Sequence, residues 1–176
     1  MPHILNRSPF LQISSEVAFR DQRVLIRADQ IILWVTLSLK GMTSPNPSAT
    51  PFPVILDTGH THTFSIRERH LIEWAGLRPE AMTVVHAVRD RGQRILLRAA
   101  NIWAHPTESG SRDRLANRPP HLLAAPKGIA IYPGDFPRLP ILGLRAIAEN
   151  ELVLKVDGAR REATLRTAKL WWPFVW

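Results

Sequence analysis

From Arg23 onward the apolar and polar residues fall into short runs whose period is close to two, the spacing of strands. RVLIRA is followed by IILWVTLSL, in which Ile32, Trp34, Thr36 and Ser38 alternate with Leu33, Val35, Leu37 and Leu39. Both sets are largely apolar, so this strand is expected to be covered on both faces. GMTSPNPSATPFP, with Gly41 and four prolines, is neither helix nor central strand and is read as a loop. It delivers the chain to Val54, Ile55 and Leu56, a short buried strand that ends at Asp57-Thr58-Gly59.

Phe64 to Trp74 reads as a strand end followed by a short helix closed by Gly76, since Ile66, His70, Leu71 and Trp74 recur at roughly helical spacing. AMTVVHAV and RILLRAANIWA, joined by Arg89-Asp90-Arg91-Gly92-Gln93, predict a projecting β-hairpin with Gly92 near its tip. Residues 105–120, HPTESGSRDRLANRPP, are read as a polar loop and the segment expected to be mobile or disordered. HLLAAPKGIAIYP then predicts one or two strands, ILGLRAIAEN a short helix from Leu144 to Asn150, and ELVLKVDG with REATLRT a hairpin turning at Asp157-Gly158. Residues 1–20 lack clear periodicity and are expected to form an N-terminal arm or edge strand. Many short strands, frequent turns and 15 prolines point to an all-β barrel or sandwich of nine or ten strands with one or two short helices.

Length and composition refine this picture. A chain of 176 residues, 45% hydrophobic, builds one substantial core, so a single domain over 1–176 is expected. The absence of cysteine excludes a disulfide framework, a zinc-thiolate site and a cysteine nucleophile. Neither a secretory signal nor an apolar run long enough to span a bilayer is visible, so a cytoplasmic location is the expectation. The net charge of +8 brings nucleic acid and acidic substrates into consideration. The arginines are scattered in small groups (67 and 69; 89, 91 and 94; 112 and 114; 160 and 161), the pattern of a generally cationic surface more than of a dense binding stripe.

An isolated Asp-Thr-Gly arises by chance in roughly one chain of this length in thirty. Here it closes an apolar strand, PFPVILDTGHTHTFSI, where glycine permits a sharp turn and the carboxylate projects from a rigid base. This stretch resembles the active-site strand and loop of the retropepsin-like aspartic proteases. Pro140-Ile141-Leu142-Gly143-Leu144 resembles a second signature of that family, two hydrophobic residues and a glycine leading into a short helix and a terminal hairpin. The interval between the two motifs leaves room for a helix, a flap hairpin and further strands.

The resemblance implies a retropepsin-like closed β-barrel or sandwich and an aspartic endopeptidase acting on extended peptides, with no cofactor. It implies that Asp57 activates water, Thr58 hydrogen-bonds across a dimer axis and Gly59 admits close approach of backbone to substrate. Contact with the substrate is expected around His60, Gly92, Leu142 and Gly143, with Leu142 and Gly143 supporting the loop from behind and the Gly92 hairpin acting as a flap. Peptide hydrolysis of this kind uses two carboxylates sharing one proton. Only one such triplet is present; Asp135 and Asp157 both occupy turn sequences, so a homodimer pairing two copies of Asp57 is the simpler source.

His60 stands where the family carries a small residue, and an imidazole there would crowd the cleft or, if charged, favour ionisation of both carboxylates. The alternative reading is therefore a protease-like β domain that binds peptide or nucleic acid without cleaving it. His60 and His62 would share one face of a strand, as metal ligands do, but no partner stands at a telling distance and no metal is expected. Ser65 lacks a nucleophile-elbow context, and no glycine-rich phosphate-binding pattern occurs. The aromatic tail, Trp171, Trp172, Phe174 and Trp176, suits a dimer contact or a membrane interface, and a fold-back onto the core stands equal to the dimer contact.

Overall fold

The computed structural model describes residues 2–168; the aromatic tail at 171–176 lies outside the described residues. In chain order the elements are β1 (His3–Pro9), β2 (Ser15–Phe19), β3 (Gln22–Ile26), β4 (Ile31–Leu39), β5 (Phe52–Asp57), β6 (Phe64–Arg67), α1 (Glu68–Glu73), β7 (Val84–Asp90), β8 (Gln93–Arg98), β9 (Ala100–His105), β10 (His121–Leu123), β11 (Ile129–Tyr132), β12 (Ile141–Gly143), α2 (Leu144–Glu149), β13 (Leu152–Asp157) and β14 (Glu162–Thr167). The fold is all-β with two short helices. The fourteen strands among the described residues exceed the expected nine or ten because pieces as short as β10 and β12, three residues each, carry too little pattern to be counted from sequence.

A nine-stranded mixed sheet, β10-β9-β4-β5-β12-β6-β11-β8-β7, forms the body; β1-β14-β13 make a second sheet and β2-β3 a hairpin. The expected closed barrel is not what forms. The large sheet begins at β10 and ends at β7, and these two strands do not pair, so both edges stay open. Strand β4 is apolar on both sides because both sides are covered: every residue from Ile32 to Ser38 is buried. Its polar members are partnered, Ser38 Oγ accepting from Trp103 Nε1 at 2.9 Å and Thr36 Oγ1 lying 3.0 Å from His105 Nε2, which removes the cost of burying them.

Three further expectations are corrected. Of the two expectations for residues 1–20 the edge strand holds and the arm does not: β1 is the outer strand of β1-β14-β13, Ile4, Leu5, Val17 and Phe19 are core residues, and the Phe19 ring meets Trp74 at 5.0 Å. Their periodicity is hidden because β1 shifts register between His3 and Leu5 and again between Leu5 and Ser8, with Arg7 at φ +52°. The 105–120 segment is tied down instead of mobile. Trp34 Nε1 donates to the Arg112 carbonyl at 2.8 Å, and the Thr107 and Gly110 amides donate to Ile4 and Asn6 of β1 at 3.0 and 2.9 Å. The β13-β14 hairpin closes through four residues, 158–161, with Asp157 opposite Glu162, not through a two-residue Asp-Gly turn. The β7-β8 hairpin does use a two-residue turn, Arg91-Gly92, both at positive φ (47° and 75°), the geometry that matches the twist of its strands. Among the described residues, no helix is long and apolar enough to cross a membrane.

One continuous core joins these layers, with Phe52, Phe64, Ile66 and Leu71 at its centre. His70 is buried in it, stacked on Trp74 at 3.7 Å, and its Nε2 accepts from Arg67 Nε at 3.0 Å. Burial first, then the Arg67 and Arg69 charges, push its pKa down to about 3 from 6.5. Burial likewise takes His105 to about 4. The unfolded chain then binds a proton near pH 6.5 that the folded chain refuses, so stability is lost as pH falls below that value. For His70 alone the loss reaches about 2 kcal/mol by pH 5. Urea unfolding at pH 7 and pH 5 checks this: His70→Gln, which retains an acceptor for Arg67 but does not titrate, is expected to lose about 2 kcal/mol less than wild type across that interval.

Candidate active site

Strand β5 is buried from Phe52 to Leu56, and Asp57 is its first exposed residue. It is held on both flanks. Antiparallel β4 places Ile31 opposite Leu56, and parallel β12 places Ile141, Leu142 and Gly143 opposite Ile55, Leu56 and Asp57. The carboxylate is oriented locally: Oδ1 accepts the Gly59 amide at 2.9 Å while the Asp57 carbonyl accepts the His60 amide at 3.2 Å, an aspartate-led turn. Asp57, Thr58 and Gly59 are all exposed.

The sheet order explains why this turn is rigid. Strand β12 lies between β5 and β6, antiparallel to β6 with Leu142 opposite Phe64. The connection 58–63 must therefore arch over the end of β12. Gly143 sits beneath that arch: its amide donates to the Thr63 carbonyl at 3.1 Å, and a Cβ there would lie 2.1 Å from the His62 carbonyl oxygen and 2.7 Å from that of His60. Thr63 Oγ1 donates to Glu149 at 2.9 Å, which fastens the arch to α2 as well. Leu142 has no exposed surface and Gly143 is buried, so both act under the loop and neither offers a face to a ligand.

Helix α2 starts immediately after Gly143 and borders an open depression of about 460 Å³ lined by Thr58, Gly59, His60, Thr61, Leu144, Arg145 and Ala148. Its lining holds an exposed leucine and a cation but no carboxylate; Asp57 is the neighbour of Thr58 and is not part of the lining. Asp135 is fully exposed and pairs with Arg67 at 3.9 Å. Asp157 accepts the Arg160 amide at 3.0 Å in the β13-β14 turn. Both aspartates are thus occupied in turns elsewhere in the fold.

His60 and His62 lie in the arch and not on a strand, which corrects their expected shared strand face; the rings still meet edge-on at 5.6 Å. His60 Nε2 is 2.6 Å from Ser65 Oγ. Burial, then the neighbouring His62, holds the His60 pKa below its ordinary value against weaker pulls from Asp57 and Asp90. Burial lowers His62 in the same way. Both imidazoles are therefore neutral at pH 7, and His60 places no positive charge beside Asp57 there. Among the described residues, no group of three His, Asp or Glu side chains converges as a metal site.

Gly92 is at the tip of the β7-β8 hairpin, as its sequence context predicts. The adjoining residues are anchored by groups the sequence did not flag. Tyr132 Oη donates to Asp90 Oδ2 at 2.5 Å, and the Arg91 guanidinium lies 3.8 Å above the Phe136 ring. Asp90 and Arg91 also act on His60 through their charges, the first raising and the second lowering its pKa. Tyr132 is the sole tyrosine in the chain and lies in an apolar run, with nothing in its spacing to mark it.

No protein-family model, no curated protein and no solved structure matches this chain.

Gly143→Ala forces a methyl group into the carbonyls of His60 and His62. It is expected to destabilise the protein by about 3 kcal/mol or to displace the arch outright. Gly158→Ala, where a Cβ meets nothing within 4 Å, is expected to stay within about 0.5 kcal/mol of wild type. Denaturant unfolding of the two variants checks the contrast.

Proposed function

We propose that the chain is one half of an aspartic endopeptidase of retropepsin-like type, in which Asp57 from each of two copies forms the catalytic pair. The observation that carries this reading is the placement of Asp57: an exposed carboxylate at the end of a fully buried strand, oriented by the Gly59 amide and braced by β12 through Gly143. A carboxylate fixed in this way suits acid-base work on a bound water.

A single Asp57 does not suffice. Two carboxylates about 3 Å apart do not both ionise, so the pair holds one proton between them. The ionised member takes a proton from water as its oxygen attacks the peptide carbonyl carbon, while the protonated member gives its proton to the carbonyl oxygen. Collapse of the tetrahedral intermediate returns a proton to the departing amine nitrogen, giving one carboxyl and one amino terminus. The missing carboxylate comes from a second copy related by a two-fold axis, since the site's own lining supplies none. In this dimer Thr58, exposed beside Asp57, faces its counterpart, and the Gly92 hairpin closes over an extended peptide held by strand-like backbone hydrogen bonds.

The His60 ring in place of a small residue favours a second reading, a peptide- or nucleic-acid-binding domain without turnover. The two separate cleanly. Under the protease reading, Asp57→Asn lowers cleavage of an unstructured peptide library by at least about 10³-fold while sedimentation still finds the dimer. A wild type with no cleavage from pH 4 to 8, and with ligand affinity untouched by Asp57→Asn, establishes the binding reading; steep loss of that affinity with salt marks the ligand as nucleic acid.

A further inference from the structure

The β7-β8 hairpin is held to the body of the sheet by backbone bonds for only part of its length. Strand β8 pairs with β11 at Leu96, Leu97 and Arg98, and no further toward the tip. Residues 90–95 project beyond this pairing, so side chains must hold the tip in place.

The contact that does so joins Asp90 to Tyr132. Asp90 is the last residue of β7, directly before the Arg91-Gly92 turn. Its carboxylate accepts from Tyr132 Oη at 2.5 Å. On the neighbouring strand Ser65 pairs with Ala130 of β11, and its Oγ lies 2.6 Å from His60 Nε2. A carboxylate only accepts, so Tyr132 is the donor to Asp90. The tip contact and the contact to the arch that carries Asp57 therefore stand on adjoining strands, β11 and β6. Ser65 and Tyr132 are buried, beside Ile95, Leu97 and Ala130; in such surroundings a satisfied hydrogen bond is strong and a broken one costly. Burial and the Asp90 carboxylate both raise the Tyr132 pKa, so the phenol remains a donor at any pH of interest. Phe136 braces the same tyrosine edge-on at 4.9 Å while carrying the Arg91 guanidinium on its face.

We propose that Tyr132 is a positioning residue: it latches the tip of the β7-β8 hairpin through Asp90, on the strand beside the one whose Ser65 holds His60 of the Asp57 arch. Opening the hairpin to admit an extended chain breaks the Asp90–Tyr132 bond. The catalytic consequence rests on the reading of Asp57 as half of a protease site; the latch itself does not.

Tyr132→Phe keeps the ring and removes the hydroxyl. Hydrogen exchange at the amides of Arg91, Gly92 and Gln93 is expected to quicken by roughly tenfold, with β4 and β5 amides unchanged. Asp90→Ala is expected to give the same acceleration, and the double variant no more than either single, because both remove one shared bond. In peptide cleavage the loss is expected as a roughly tenfold higher KM with kcat changed less than twofold, since a loosened lid weakens ground state and transition state alike. Unchanged exchange at the tip, additive effects in the double variant, or acceleration spread over the whole sheet overturns the proposal. If Tyr132→Phe does not fold, Asp90→Asn, which keeps shape and an acceptor oxygen but loses the charge, is read at the same amides and is expected to show a smaller acceleration; none overturns the latch. A wild type that never cleaves removes the protease reading, while the exchange result still decides the latch.

Discussion

Where the 58–63 connection crosses the end of β12, two carbonyl oxygens occupy the space a side chain would need. That close approach at Gly143 is the constraint from which the site follows. It lets one strand end support an arch on its back while pairing with β5 on one side and β6 on the other. The arch cannot lift without breaking the Gly143–Thr63 bond, and it cannot sink because the carbonyls are already in contact with the glycine backbone. Asp57 inherits this rigidity, because its turn is the first step of the arch.

The chemistry depends on the same crowding. A carboxylate in acid-base work needs a fixed direction more than it needs burial, and the Gly59 amide fixes it while leaving the second oxygen free. The two histidines that follow are kept neutral by partial burial, so His60 brings a hydrogen-bonding group and not a charge. His60 thereby joins the arch to Ser65, and the site is tied to the layer of the sheet from which the hairpin rises.

Much of this was legible in the sequence because it rests on local signals. The apolar run ending in Asp57-Thr58-Gly59, the turn at Gly92, the helix closed by Gly76 and the Ile141-Leu142-Gly143 step into α2 all depend on periodicity and on glycine at a bend. What escaped depends on pairing between distant segments. The arm-like N-terminus became core because bulges in β1 erase its period while β14 still finds it. The polar 105–120 stretch is ordered by carbonyls and amides, which no composition records. Tyr132 and Asp90 meet only because parallel pairing of β11 with β6 and antiparallel pairing with β8 bring them together. Barrel closure failed as an expectation because counting strands says nothing of whether the first and last will meet.

The order in which the chain leaves the ribosome gives the β5-β12 pairing a further meaning. Asp57 is synthesised early, but its parallel partner arrives with residues 141–143, and β1 waits for β14 at the far end of the described chain. Contacts this distant form late. Until they do, the arch has no strand to rest on and its aspartate has no fixed direction. A nascent chain therefore carries the triplet without the site, and Asp57 gains its fixed direction only once residues 141–143 have been made and paired with β5.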